Sequence, residues 1–453
     1  MPKKLKEKKI ISSVSDTQDI QGTKYFNYQG LFEKASEIAL YYGFNPIELP
    51  NLEQESLYSA GIKEKTKQIL PSFQVENKTQ ITLKKEAAPS IVRIYVEKKL
   101  QTTIQPIMLY HYGSYFYSKF AGDNKTPIEN RRFGLDILGT YKSIADTTII
   151  KVIMTILCEA GFNNLCVQIN SIGDTTSQQL YKKAILSYYT KNISNLCVNC
   201  KKQLKINPLN LLVCNNSTCQ NVKTCAPESL NFLNTSMKTH FREVLEYLDI
   251  MKIEYEINNS LIGETNYYNQ TIFQIIDTTN IKKQILIEKL NNKNKKKKKA
   301  IVNNSNQNTI VLAVGGRYDD LAKQLRLKKD LPAVGATINV DYIINSPFHK
   351  TINSRINKKP RVYFIQLTLE AKQKSLPVIE ILRCAHIPIM HSLTKDRLSA
   401  QLALAEKLEI PYTIILGQRE ALDDTIIIRN MLTCSQDTIP INQLANYIKN
   451  KLK

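Results

Sequence analysis

No apolar run in the chain approaches the roughly 18–20 residues that cross a bilayer as a helix. That lack excludes a helical membrane span and predicts a soluble protein with no membrane partner. The start, MPKKLKEKKIISS, is basic but leads into neither an apolar stretch nor a small-residue cleavage site, so it is not expected to be a secretory signal. Residues 1–23 are therefore expected to form a basic N-terminal arm. Acidic residues are few beside basic ones, 40 Asp and Glu against 62 Lys and Arg, which leaves a formal charge of +22. The surplus says nothing about fold but favours polyanionic partners, nucleic acid first. An AT-rich genome, writing Lys, Asn and Ile throughout, would give the same bias without selection for charge.

Nine cysteines in 453 residues, behind a start that does not read as a secretory signal, predict reduced thiols in a cytoplasmic setting. Four of them are patterned. LCVNCKKQLKINPLNLLVCNNSTCQ sets Cys197 and Cys200, then Cys214 and Cys219, as two close pairs around one short segment. Paired thiolates on tight turns are how a four-sulfur tetrahedral zinc site is assembled, so these residues are a candidate structural zinc centre. Cys225 is a substitute ligand, and four unligated thiols in a surface hairpin are the alternative.

A chain of this length is expected to hold two or three domains. FNYQGLFEKASEIALYYGF has helical periodicity and stops at Gly43, and NPIELPNLE follows as an extended run. PIMLYHYGSYFYSKF and RRFGLDILGT flank the polar segment AGDNKTPIEN, which predicts a hairpin with a long substrate-facing tip. TIIKVIMTILCEAGF reads as a helix and NLCVQINSIG as a strand ending at Gly173, closing a first core segment, 24–173. Residues 174–250, where strands are scarce, are expected to be a helical insertion carrying the cysteine module.

Strands resume in a second core segment, 251–347. NYYNQTIFQII alternates from about Asn266, which predicts a strand with Tyr267 and Tyr268 on opposite faces, one of them over a pocket. The lysine-rich run at 291–308 reads as a solvated loop. TIVLAVGGRYDDLAKQL reads as strand, double-glycine turn and helix, with Arg317 and Asp319 tying the turn by a charge-assisted pair. A basic linker, 348–360, leads to residues 361–453, where strand and helix alternate as in a small α/β domain.

The order of these segments resembles bacterial-type histidyl-tRNA synthetases, class II enzymes, over nearly the whole chain. YYGFNPIELPNLE is similar to motif 1 with its proline at Pro50, HYGSYFYSKF with RRFGLDILGT to motif 2, and LPAVGATINVDYII to motif 3. INSIG, NPLNLL, the cysteine module, LIGETNYYNQTIF and GGRYDDL fall in family order, and IILGQREALDDTIIIRNM is similar to the anticodon-binding domain. The resemblance implies an α+β fold: a class II antiparallel sheet with helices, a helical insertion domain, and a C-terminal α/β anticodon-binding-like domain. It also implies a homodimer built partly through motif 1 and a tRNA as the RNA partner. The implied reaction joins histidine to ATP as an adenylate and passes the histidyl group to tRNA, with ATP and magnesium required only if the chain is active.

Several family positions are occupied differently here. The arginine of the family's RGLDYY falls on Gly263 and its aspartate on Asn266, while Tyr267 and Tyr268 are kept. In motif 2 the arginine of FR(x)E falls on Tyr117 and the acid on Lys119; in motif 3 the arginine of GLER falls on Tyr342. LRPEGT falls on LKKEAA, which keeps Glu86 and places Lys84 for arginine and Ala88 for threonine. FHQFGLEILG laid over NRRFGLDILG places Arg132 for glutamine and Asp136 for glutamate. The remnant histidine pocket is then Glu86, Arg132, Asp136, Tyr267 and Tyr268, with Gly315, Gly316 and Arg317 as a pocket turn. Lys85, Lys119, Arg131 and Arg132 are the cations available to lean in.

Adenylate formation needs fixed cations to meet growing charge on the α-phosphate. Tyr117, Gly263 and Tyr342 therefore predict impaired histidine activation. The leading expectation is a synthetase-like RNA-binding or dimeric scaffold, or a regulatory paralogue. An active histidine–tRNA ligase is the alternative. A regulatory subunit of histidine biosynthesis ranks third, because that subunit generally lacks the anticodon-binding domain present here.

Overall fold

The computed structural model describes residues 13–14, 17–59, 72–75, 79–121, 124–263, 267–279, 310–325, 330–355, 360–392 and 397–452. The lysine-rich run at 291–308, most of the N-terminal arm, Asn266 and the side chain of Lys119 lie outside them. The chain divides into two compact units, Met1–Ser354 and Arg355–Lys453.

The first unit opens with helix α1 (Gly22–Tyr41), which buries Leu31, Phe32, Ala35 and Ile38 at helical spacing. It ends where Gly43 takes a φ of +87°, the left-handed geometry that closes a helix without a Cβ clash. Eight strands then build one sheet: β1 (Asn45–Pro46), β2 (Ile107–Ala121), β3 (Asn124–Leu138), β4 (Leu165–Ser171), β5 (Tyr255–Ile257), β6 (Asn269–Asp277), β7 (Ile310–Arg317) and β8 (Ala333–Asn339). Their spatial order is β1-β2-β3-β8-β7-β6-β4-β5. Interior pairs are antiparallel, and the short edge strands β1 and β5 pair parallel to their neighbours. The α+β expectation holds.

Helix α2 (Ala88–Glu97) buries Ile91 and Val92 in one small core, and α3 (Ser143–Glu159) lies in the larger one. Ile149, Ile150, Val152, Ile153, Ile156 and Leu157 of α3 are all buried. A helix apolar on several sides needs several neighbours. Here β8 and α1 supply two of them, and a later helix, Thr235–Ile250, supplies the third. Between residues 174 and 250 the described chain is helical: α4 (Thr175–Lys191), α5 (Val198–Ile206), α6 (Ser217–Thr224) and α7 (Thr235–Ile250). Each starts on a side-chain cap, Asp174, Cys197, Asn216 and Asn234 respectively, accepting from a backbone N–H of the first turn. A cysteine in that role is unusual and bears on the metal question below.

Three expectations need correction. The polar segment at 121–130 is not a long open tip, because β2 and β3 stay paired from Ile107–Leu138 out to Ala121–Asn124. Strand β6 begins at Asn269, not near Asn266, so Tyr267 and Tyr268 stand in the approach to the strand rather than on its two faces. Gln270 takes a positive φ of 49° and the β6–β7 register slips between Gly316 and Arg317, so regular alternation cannot extend back to the tyrosines. Gly315 and Gly316 lie inside β7, not in a turn. A Cβ on Gly315 would come within 2.4 Å of the Ala336 Cβ and 2.7 Å of the Phe273 ring, so the glycine admits close strand packing.

The second unit is a five-stranded sheet built from Val362–Gln366, Ile389–His391, Tyr412–Leu416, Thr425–Asn430 and Gln436–Pro440. The strand 362–366 pairs parallel with 389–391 and with 412–416, and the last two join antiparallel. Helices Leu369–Cys384 and Leu444–Leu452 contribute Val378, Leu382, Leu444 and Ile448 to its core. It is a small α/β unit, as its alternation predicts.

Candidate active site

A cavity of about 980 Å³ opens beside the middle of the first unit's sheet. Its lining includes Glu86, Arg132, Asp136, Gly263, Tyr267 and Tyr268, so the five pocket residues read from the sequence do come together. Tyr318, which sequence reasoning passed over, joins them.

Asp136 sits on β3 opposite Gly335 of β8, and a Cβ on that glycine would come within 2.0 Å of its Oδ1. The carboxylate is buried and engaged on both oxygens. Tyr318 Oη donates to Oδ1 at 2.6 Å, and His111 Nε2 lies 3.0 Å from Oδ2. Tyr115 Oη pairs with His111 Nδ1 at 2.8 Å, which completes a buried chain from Tyr318 through Asp136 and His111 to Tyr115. Burial, reinforced by Asp136, holds both phenols well above their ordinary pKa. The imidazole is accommodated because Gly134 faces it across the hairpin; a Cβ there would stand 2.1 Å from His111 Cε1. One signal in the sequence points here: His111, Gly113 and Tyr115 share one face of a period-two strand.

Glu86 lies just ahead of α2 and accepts from Tyr267 Oη, while its backbone carbonyl accepts from Tyr58 Oη at 3.3 Å. The rings of Tyr267 and Tyr268 are 5.0 Å apart, and that of Tyr318 meets Tyr267 edge-on at 6.2 Å. These aromatic walls and paired acids suit a small ligand carrying an ammonium group.

The cations divide sharply. Arg132 lines the cavity, its guanidinium 5.6 Å from the Tyr115 ring centre and its Nε donating to Asn130 Oδ1 at 3.3 Å. Arg131, one residue away on the strand, is paired elsewhere: its backbone N–H donates to Asp341 Oδ2 at 2.6 Å and its guanidinium lies 3.7 Å from Oδ1. Lys84 is buried, donates to the Leu49 carbonyl at 3.3 Å and lies 4.7 Å from the Tyr115 ring centre. Burial pushes its ammonium pKa down, against the opposing pull of Glu53 and Glu48. Lys85 lies 5.9 Å from the Tyr58 ring centre. Among the described residues, Arg132 and Lys223 are the cations that line the cavity.

Of the three family arginine positions, Gly263 lines the cavity and Tyr117 and Tyr342 do not. Gly263 has a φ of +76°, and a Cβ there would stand 3.2 Å from the Tyr268 ring, so the backbone itself is set for glycine. Tyr117 and Tyr342 are 40% and 38% exposed, enough to leave their phenols open to water.

Arg317 is not a pocket residue. It is fully buried, donating to Asp146 Oδ2 at 2.7 Å, to the Thr140 carbonyl at 2.7 Å and to Asp319 Oδ2 at 3.2 Å. Burial lowers its pKa but Asp146 and Asp319 outweigh this and raise it. The expected Arg317–Asp319 tie exists, inside a larger buried network that anchors β7 to α3.

The four patterned cysteines gather on one point of the insertion, with their Sγ atoms all within 4.8 Å of one another. Cys225 is exposed and outside the cluster, so the structure removes it as a substitute ligand. Of the alternative, unligated thiols in a surface hairpin, the hairpin geometry is corrected: the two pairs sit around helix starts.

A family model described as histidyl-tRNA synthetase matches residues 17–279, and one described as anticodon binding domain matches residues 356–451. A histidine–tRNA ligase of Desulforamulus reducens is 27% identical over 96% of this chain and 97% of its own length. One of Caldicellulosiruptor saccharolyticus is 26% identical over 98% and 100%. Among solved structures, apo S. aureus histidyl-tRNA synthetase aligns over 97% of this chain and 99% of its own with a TM-score of 0.72 at 22% identity. An ATP phosphoribosyltransferase regulatory subunit/histidyl-tRNA synthetase from Bacillus halodurans C aligns over 91% and 98%, with a TM-score of 0.58 at 15% identity.

Proposed function

The chain belongs to the histidyl-tRNA synthetase family, and from that premise we propose that it recognises histidine, ATP and a tRNA but activates histidine far more slowly than a complete site would. One observation carries the reading. The amino-acid end of the cavity is furnished, by Glu86, Asp136 and the tyrosines, while glycine and two tyrosines stand where the resemblance calls for three arginines. Losing a single electrostatic group of that kind costs ~3–4 kcal/mol of transition-state stabilisation. Such losses are not additive, but one alone already removes roughly 10²- to 10³-fold in rate.

Arg132 is the opposing fact. It brings a guanidinium to the cavity where the resemblance has a glutamine, and it favours a second reading, a working histidine–tRNA ligase. The relatives, named as ligases over nearly the whole chain, support that second reading better than they support a scaffold. A regulatory role ranks below both, because residues 356–451 match an anticodon binding domain. ATP would arrive as its magnesium complex. Among the described residues the cysteines are the metal-ligating side chains that cluster, so no residue is assigned to magnesium and no step is routed through it.

In this reading the second unit and the positive charge hold tRNA, the protein acts in the cytoplasm as a homodimer, and binding outlasts chemistry. No helix among the described residues is long and apolar enough to cross a membrane. Aminoacylation with histidine, ATP and total tRNA tests the reading when run beside a salt series of tRNA binding. Salt-sensitive binding with slow charging is expected; no binding at low salt would remove the tRNA assignment, and fast charging would favour the second reading.

A further inference from the structure

We propose that Cys197, Cys200, Cys214 and Cys219 bind one zinc ion, and that this ion fixes the wall that the insertion lends to the cavity. A regular tetrahedron with Zn–S bonds of about 2.3 Å sets its sulfurs about 3.8 Å apart. The four Sγ atoms already lie within 4.8 Å of one another, with Cys197 and Cys214 at 4.0 Å, so side-chain adjustments of an ångström or less close the shell. All four are free thiols.

The backbone is arranged for sulfur ligands. The N–H of Cys200 points to Cys197 Sγ at 3.4 Å, that of Cys197 to Cys219 Sγ at 3.3 Å, and that of Asn216 to Cys214 Sγ at 3.5 Å. Amide donors aimed at sulfur are the outer-shell support that metal-bound thiolates use. A neutral thiol is a weak acceptor, yet three of the four sulfurs each receive one such donor. Each pair also meets a helix start: Cys197 caps α5 with Cys200 in its first turn, while Cys214 precedes α6 and Cys219 lies in its first turn. The positive end of a helix favours negative charge there.

Packing alone is a weaker account. Cys200 and Cys219 are buried among Tyr189, Leu204 and Val222, where any small apolar side chain would do, but Cys197 and Cys214 are only half-buried and still converge on the same point. Tetrahedral tetrathiolate sites take zinc or iron, and zinc needs no redox poise to persist among reduced thiols.

The consequence reaches the cavity. Asn210, Val213, Asn215 and Lys223 line it, and all four lie on the stretch threaded through the cysteines. That stretch consists of a 3₁₀ segment (Pro208–Val213) and the eight-residue α6, both too short to hold shape by themselves. A metal tie gives them a fixed position. The proposal does not rest on the ligase reading.

The test uses the full untagged chain purified without added zinc. Elemental analysis is expected to find about one zinc per chain, and a Cys197→Ser/Cys214→Ser double substitution, made at the half-buried ligands, should bring it to background. Cys197 and Cys214 should alkylate slowly until a chelator is added, whereas exposed Cys225 and Cys384 react at once with or without it. Amide exchange across residues 208–223 should speed up on chelation; unchanged exchange would overturn the role in the cavity wall. Iron in place of zinc, a Cys197–Cys214 disulfide, or a metal-free chain whose Cys197 alkylates as fast as Cys225 would overturn the site. Should the double variant not fold, exchange of cobalt(II) into the wild-type chain decides: tetrathiolate charge-transfer bands support the site, and an octahedral spectrum refutes it.

Discussion

Replacing Tyr318 with phenylalanine removes one oxygen from the buried chain under the cavity and leaves the ring in place. Tyr318 is 1% exposed and its hydroxyl donates to Asp136 Oδ1 at 2.6 Å. Because the ring volume is kept, the cavity penalty of large-to-small substitution is small. What remains is a hydrogen bond to a buried carboxylate, worth ~1.5–3 kcal/mol, or roughly 10- to 150-fold in the unfolding equilibrium. His111 still holds Oδ2, so the network is cut at one end only. Urea unfolding followed by far-ultraviolet circular dichroism reads the loss, since the chain has no tryptophan to report it. Tyr267→Phe is the control: its acceptor, Glu86, is only partly buried, so water replaces the lost donor and the cost stays below ~1 kcal/mol. Asp136 lines the cavity, so freeing Oδ1 should also tighten binding of histidine through its ammonium group. Tyr318→Phe within ~0.5 kcal/mol of wild type, or less costly than Tyr267→Phe, would refute the reasoning.

Arg317→Met leaves Asp146 and Asp319 buried without their cation and should cost ~3–5 kcal/mol by urea unfolding, whereas an exposed pair such as Arg419–Asp423 should cost under ~1 kcal/mol when broken. The buried Arg317–Asp146 pair also sets an acid limb. Burial raises the Asp146 pKa, but Arg317 first and His240 next hold it below the usual carboxylate value. A depressed folded-state pKa gives stability that is present above the unfolded value of about 3.9 and is lost as pH falls through the folded one. Wild-type unfolding free energy should therefore drop below about pH 4, and Arg317→Met should flatten that limb; an unchanged slope would contradict the assignment. Gly263→Arg should not rescue activation: a φ of +76° costs a non-glycine residue ~1–2 kcal/mol, and the new Cβ meets Tyr268 at 3.2 Å. A variant that is as stable as wild type and faster in adenylate formation would show that the loop accepts an arginine after all.

Much of this was legible because local signals and tertiary needs agree. Gly43 ends α1 through a positive φ that glycine supplies, and the paired cysteines converge because each pair spans one helix start. The five pocket residues met as the resemblance implied. Arg131 and Arg132 separated as strand neighbours do, one into the cavity and one to Asp341. The misreadings came from contacts between strands that periodicity cannot show. Gly315 and Gly316 looked like a turn, yet β6 and β8 press so close that glycine is needed inside the strand. Tyr267 and Tyr268 looked like strand residues until the positive φ at Gln270 broke the alternation. His111 drew no notice because its meaning lies in Asp136 and Gly134, both on the partner strand of the hairpin.

Histidine-dependent ATP–pyrophosphate exchange tests the central claim most directly, run beside the S. aureus synthetase under the same conditions. Histidine binding is expected with exchange at least ~10³-fold slower than that enzyme, since each missing cation removes roughly 10²- to 10³-fold in rate. Exchange at a rate comparable to the S. aureus enzyme would contradict it.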